Sequence, residues 1–218
     1  MLILIKGAGD LATGTAVRLY RAGFSVVMTD IAQPTAVRRT VAFSQCMYDG
    51  HVTVEGITAR RAADRAEAET ILAAGEIPVL ADPEAHIRSE LPFTVVVDAI
   101  LAKRNLGTTL TDAPIVLALG PGFTAGVDCH GVVETKRGHD LGRLILEGTA
   151  IPNTGVPGDV GATPKSALSA PPPTAPLSRW LRSASRWRWG TWWPASTASP
   201  SPPSSPVSSG VCCPPASR

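Results

Sequence analysis

Residues 2–14, Leu-Ile-Leu-Ile-Lys-Gly-Ala-Gly-Asp-Leu-Ala-Thr-Gly, constrain the fold of this chain more than any other stretch. Residues 2–5 are an apolar run of the kind that fills a buried parallel strand. Gly7, Gly9 and Ala12 follow at the spacings of G-x-G-x-x-[GA]. Leu11, Val17, Leu19, Tyr20 and Ala22 then take a helical pattern that Gly23 closes. Each small residue has a physical task in such a strand, turn and helix. Gly7 permits the tight turn, Gly9 lets a pyrophosphate approach the backbone, and Ala12 lets the helix lie close to the strand. Asp30 ends the next apolar run, 21 residues after Gly9. A carboxylate there would meet a ribose and repel a 2′-phosphate, favouring NAD over NADP. The same pattern also occurs in doubly wound folds that bind no dinucleotide, and Gly14 is explained equally by close packing.

Composition divides the chain. All five Trp and 12 of the 20 Pro lie beyond residue 161, and residues 162–218 contain no Asp or Glu. The formal charge of +2 is therefore the sum of a tail at +6 and a body at −4. A mildly acidic body gives no electrostatic reason to expect nucleic acid. No apolar run reaches the roughly 18 residues of a membrane span, and the N-terminal run stops at Lys6, too early for a signal peptide. The expectation is a cytoplasmic body without a membrane partner. The four Cys show no C-x-x-C spacing, so reduced thiols and no metal site are expected.

Pro34 suits a first helical turn, and Ala36, Val37, Thr40, Val41 and Ser44 give an inward stripe, so a helix is expected over 34–44. Arg38 and Arg39 are then either a solvated helix face or a clamp on phosphates above the Gly turn. Residues 51–60 alternate as a hairpin with Glu55-Gly56 at its tip and His51 on the surface. Residues 63–74 predict a helix ended by Gly75, residues 77–81 a short strand, and residues 85–91 a short helix stopped by Pro92. The most β-branched strand follows over 94–101. Asp98 falls at its carboxyl end, which in open α/β sheets faces the ligand crevice.

A loop with Lys103, Arg104 and Asn105 leads to a buried strand over 113–120. Gly122 lies in a second Gly-rich turn, read either as a second anion cradle or as a plain turn. Strands over 132–135 and 144–146 flank Lys136-Arg137-Gly138-His139-Asp140, a mixture of charges suited to a polar ligand. Asn153 belongs to the segment that closes the body. No Ser/His/Asp or Cys/His set has a diagnostic spacing, so no catalytic nucleophile is named. His139 is able to act as a general acid or base near neutrality, and a loop His that only hydrogen-bonds is the alternative.

Residues 6–14, 18–24, 36–44, 97–103, 105–108, 111–114 and 119–128, with Glu134-Thr135 and residues 137–139 through 152–155, resemble the selenium-dependent molybdenum hydroxylase accessory proteins. The resemblance covers about residues 1–161. That family is related to the Rossmann domain of the xanthine dehydrogenase accessory factors, which help mature or insert the molybdenum cofactor. The resemblance implies a maturation role, with a molybdenum hydroxylase apoenzyme or other maturation factors as partners. It also implies a crevice for NAD or a molybdopterin dinucleotide. The cofactor-binding residues expected are Gly7, Gly9, Asp10, Ala12, Thr13, Asp30, Arg38, Asp98, Lys103 and Gly122, with Arg137, His139 and Asn153 on a substrate or partner loop. An NAD-dependent oxidoreductase and a non-catalytic nucleotide-binding module are the alternatives. The expected fold is α/β, a Rossmann-like parallel or mixed sheet with flanking helices over 1–161.

Residues 162–218 depart from the family. The run Ser169-Ala-Pro-Pro-Pro-Thr-Ala175 can be encoded by codons whose third-base frame reads R-A-P-A-D-G, near where the family's own segment begins. The tail is therefore read as an out-of-frame product, with a genuine basic Pro/Ser-rich linker as the alternative, and disorder is expected in either case.

Overall fold

A computed structural model describes residues 1–154. The expected boundary at 161 and the expected disorder of 162–218 lie outside the described residues. Strand β1 (Leu2–Lys6) runs into helix α1 (Asp10–Arg21) and strand β2 (Ser25–Asp30). Helix α2 (Cys46–Asp49), the hairpin β3 (His51–Val54) and β4 (Ile57–Ala62), helix α3 (Arg65–Ala73) and β5 (Ile77–Ala81) come next. They are followed by β6 (Val95–Asp98), β7 (Ile115–Leu119), β8 (Thr124–Ala125), β9 (Gly131–Val133), β10 (Leu144–Ile145) and β11 (Gly148–Thr149).

Nine of these strands form one sheet in the order β10-β9-β7-β6-β1-β2-β5-β4-β3. The pairs from β9 across to β4 are parallel, and the edge strands β10 and β3 are antiparallel to their neighbours. The fold is thus the expected α/β class, with a mostly parallel mixed sheet flanked by helices.

Apolar runs rather than alternating patterns are what a sheet covered on both faces requires. Ile3, Ile5, Val26, Met28, Val95 and Val97 pack on one face with Ala12 and Ala16 of α1 and with Phe43 and Cys46. Leu4, Val27, Leu80, Val96 and Val116 pack on the other with Ala68 and Ile71 of α3. Each fully buried Leu, Ile or Val contributes about 1.5–3 kcal/mol. From β1 the chain passes to its neighbour β2, goes out to the edge hairpin β3–β4, comes back to β5 beside β2, and then crosses to β6 on the opposite side of β1. The carboxyl ends of β1 and β6 are therefore the switch point, where an open α/β sheet leaves its crevice.

Two expected helices are corrected. Residues 34–44 form no α-helix: the segment makes two 3₁₀ turns, Arg39–Val41 and Phe43–Gln45. Val37 is 96% exposed rather than inward. β-Branched Val37, Thr40 and Val41 favour helix weakly. Tertiary bonds then hold the chain open, because the Ser44 amide donates to Ala8 O at 2.8 Å and the Phe43 amide to Thr13 Oγ1 at 2.8 Å. Residues 85–91 likewise make only the 3₁₀ turn His86–Ser89, entered through Ala85 at φ 55°. The hairpin tip is where the sequence puts it, with Glu55 and Gly56 both at positive φ.

Candidate functional site

Two G-x-G turns leave the carboxyl edge of the sheet, Gly7-Ala8-Gly9 after β1 and Gly120-Pro121-Gly122 after β7. In the first, Gly7 has φ +94°, and its amide donates to Thr29 O at 2.7 Å. A Cβ on Gly7 would stand 2.9 Å from Ala99 O, so its smallness also lets the β6 exit approach β1. Gly9 is different: a Cβ there would meet nothing within 4 Å. Gly9 is the N-cap of α1, and no side chain caps that helix. At the start of α3, by contrast, Asp64 Oδ1 accepts the Glu67 amide at 2.9 Å. Among the described residues the amides of Gly9, Asp10 and Leu11 have no acceptor. Unclaimed amides at the positive end of a helix, beside open space, suit an anion.

The other residues expected around this turn fall into two groups. Ala12 is fully buried and lets α1 lie on the sheet. Thr13 is buried beneath the turn, its hydroxyl donating to Gly9 O at 2.8 Å and accepting from Phe43, so it braces the turn from below. Asp30 spans turn and strand, with Oδ2 accepting the Ala8 amide at 2.9 Å and Oδ1 the Ile31 amide at 2.8 Å. Burial raises its pKa against the pull of those two bonds. Arg38 reaches over the first turn of α1 to Asp10, Nη2 to Oδ2 at 2.7 Å, with the guanidinium mostly exposed.

The switch point itself holds a buried polar cluster. Lys6 and Asp98 are register partners at the ends of β1 and β6, and both side chains are almost wholly buried. Lys6 Nζ donates to Thr108 Oγ1 at 2.6 Å and lies 3.6 Å from Asp98 Oδ2, to which the Thr108 hydroxyl donates at 2.5 Å. Such a pair stands only with its remaining polar atoms satisfied. Thr108 and the Ile100 amide, 3.2 Å from Asp98 Oδ1, supply those partners. Asp98 is thus committed to holding the 99–108 segment rather than open to solvent. Lys6 and Thr108 were not singled out from the sequence. The signal was present as two charges closing two apolar strands.

Lys103 is exposed at the tip of this segment, with φ 62°. Gly122 packs against it: a Cβ there would stand 2.5 Å from Arg104 N. Asn105 ties the same loop to the turn before β9, its amide donating to Thr108 O at 2.8 Å and to Asp128 Oδ1 at 3.3 Å. Arg137 and His139 are exposed between β9 and β10, and Asn153 is exposed after β11. Strand β9 is three strands from β1, which at about 4.8 Å per strand is roughly 14 Å. The expected partner loop is therefore on the same edge as the Gly7 turn but not against it.

Glu134, not among the expected site residues, anchors the base of that loop, accepting the Lys136 amide at 2.7 Å and the Ile151 amide at 2.8 Å. Burial works to raise its pKa, but the backbone bonds outweigh it and the pKa is lowered. A cavity of about 290 Å³ lies beside it, lined by Arg143, Leu144 and Ile151 among others. Among the described residues no three or more His, Cys, Asp or Glu gather as a metal set, and no helix is long and apolar enough to cross a membrane. Cys46 and Cys129 are buried free thiols, and burial pushes that of Cys46 up to about 12.

With this geometry, relatives become informative. The chain is similar to Uncharacterized protein YqeB of Escherichia coli (strain K12). The two are 54% identical over 171 residues, which is 78% of this chain and 32% of that protein. The chain therefore spans about a third of the length of the curated relative it matches. No protein-family model matches the chain, and no solved structure matches it.

Proposed function

We propose that this chain is an accessory protein for the maturation of selenium-dependent molybdenum hydroxylases, and that it binds a nucleotide or a molybdopterin dinucleotide above the Gly7–Gly9 turn. The observation that carries the binding half is the uncapped start of α1, where Gly9 faces open space and the first-turn amides lack acceptors among the described residues. These residues fit a pyrophosphate, the group that NAD and molybdopterin dinucleotides share. Asp30, at the end of β2, fits a ribose with no 2′-phosphate. Arg38 would exchange Asp10 for a phosphate. When bound, a molybdopterin dinucleotide supplies the dithiolene that holds molybdenum. The protein's own part is to bind and orient it for transfer to a hydroxylase apoenzyme in the cytoplasm. The maturation half rests on the family resemblance of residues 1–161.

Calorimetric titration with NAD, CTP, molybdopterin cytosine dinucleotide and the free pterin tests this reading. Binding of the pterin dinucleotide in preference to NAD supports it. Tight NAD binding with hydride transfer to a substrate would replace it with an oxidoreductase, and NAD binding without turnover with a nucleotide-binding module.

A further inference from the structure

The segment that leaves β6 is built in an unusual way. Leu101 and Lys103 both take left-handed backbone, at φ 60° and 62°, although neither is Gly, Asn or Asp. Each such residue costs on the order of 1 kcal/mol or more and persists only where its surroundings enforce it. Here three glycines let the neighbouring turns close on the segment. A Cβ on Gly7 would crowd Ala99 and Ile100, one on Gly120 would lie 3.1 Å from the Leu101 side chain, and one on Gly122 would collide with Lys103 and Arg104. Residues 99–104 are thus a strap clamped between the two G-x-G turns, with Lys6, Asp98 and Thr108 fixing its base.

The strap leaves several polar groups unclaimed. The amides of residues 101–104, and those of Gly122 and Phe123 in the turn packed on the strap, have no acceptor among the described residues. The Lys103 and Arg104 side chains are exposed and have no carboxylate partner among them either. Arg137 likewise has no carboxylate partner among the described residues, and it lies two residues beyond Thr135, whose hydroxyl shares the space over Gly120 with Leu101. The nearby carboxylates are engaged: Asp98 by Thr108, Asp128 by the Thr124 amide, Glu134 by the Lys136 and Ile151 amides, and Asp140 by Arg143. Left-handed residues among unbonded amides are the backbone of anion-binding concavities, and an adjacent guanidinium and ammonium add charge and a two-pronged donor.

We propose that the 99–104 strap is a second anion site, separate from the α1 terminus, which takes a phosphoryl group of a phosphorylated small molecule. It needs no ligand on the Gly7–Gly9 turn and stands independently of the function proposed above.

The test is calorimetric titration of the full chain with inorganic pyrophosphate at low salt. The comparison set is the wild type, the Lys103→Gln/Arg104→Gln double variant and Gly9→Ala. The substituted side chains are exposed, so the double variant should fold as the wild type does. The expected result is two pyrophosphate sites in the wild type, of which the double variant loses one and Gly9→Ala the other. Binding that survives in the double variant unchanged would overturn the proposal, as would no pyrophosphate binding by the wild type. Binding abolished by Gly9→Ala alone would assign the anion to the α1 terminus and also overturn it.

Discussion

The two halves of the carboxyl edge use the same local sequence, a strand followed by G-x-G, for opposite purposes. At Gly9 the missing side chain leaves space that nothing in the described protein fills. At Gly120 and Gly122 it admits other parts of the protein, Thr135 and Leu101 in one case and the Lys103–Arg104 backbone in the other. A glycine-rich turn after a parallel strand is therefore not by itself a helix-terminus phosphate site of the kind proposed at Gly9. What separates the two is whether an uncapped helix follows, as α1 does after Gly9, or a two-residue strand, as β8 does after Gly122.

The largest effect should come from the pair that joins the halves. Lys6→Met leaves the buried Asp98 carboxylate without its cation and should destabilise the fold by about 3–5 kcal/mol in urea unfolding. A loss below about 1 kcal/mol would mean that Thr108 and the Ile100 amide alone satisfy Asp98.

Next come the glycines. Gly122→Ala puts a methyl 2.5 Å from Arg104 N at φ +108°, and should cost about 2–4 kcal/mol. Gly9→Ala, at φ −66°, should cost under about 1 kcal/mol. Equal losses in thermal melting would erase the distinction between the turns.

Acid titration should separate the halves by sign. The Glu134 pKa is lowered in the folded protein, so its stabilisation is full above its ordinary value of 4.5 and is lost as pH falls through the folded value. Asp30 is raised from 3.8, so its contribution is full below that value and is lost as pH rises through the folded one. In urea melts across the acid range, Glu134→Gln should therefore flatten the loss of stability on acidification. Asp30→Asn should gain on the wild type as pH rises. Parallel curves for the wild type and both variants would contradict these assignments. The smallest effect is expected at the surface: Arg38→Ala removes a largely exposed ion pair and should change stability by less than about 1 kcal/mol.

The parallel sheet and the first turn were legible because unbroken apolar runs and G-x-G-x-x-A are local signals. Asp98 was legible as a strand-end carboxylate, but its commitment to Lys6 and Thr108 was not, since Thr108 lies 102 residues from Lys6 and only the β1–β6 pairing brings them together. The helix expected over 34–44 failed for a related reason. Its inward stripe was real as a pattern, yet Phe43 and Ser44 bond to Thr13 and Ala8, and those contacts hold the segment open. The partner loop was found as a charged segment, whereas its anchor, Glu134, looked like any residue at the end of a strand. Whether Gly122 cradles an anion or merely turns the chain was open in sequence, because the Lys103–Arg104 backbone that crowds it belongs to another loop.

The central claim is that the Gly7–Gly9 turn and the start of α1 receive the phosphates of a dinucleotide. Calorimetric titration of molybdopterin cytosine dinucleotide against the wild type and Gly9→Ala, with melting curves taken in parallel, tests it most directly. Wild-type binding is expected to fall at least tenfold in Gly9→Ala while the variant's melting temperature stays close to that of the wild type. Equal affinities in two folded proteins, or no binding by the wild type, would contradict it.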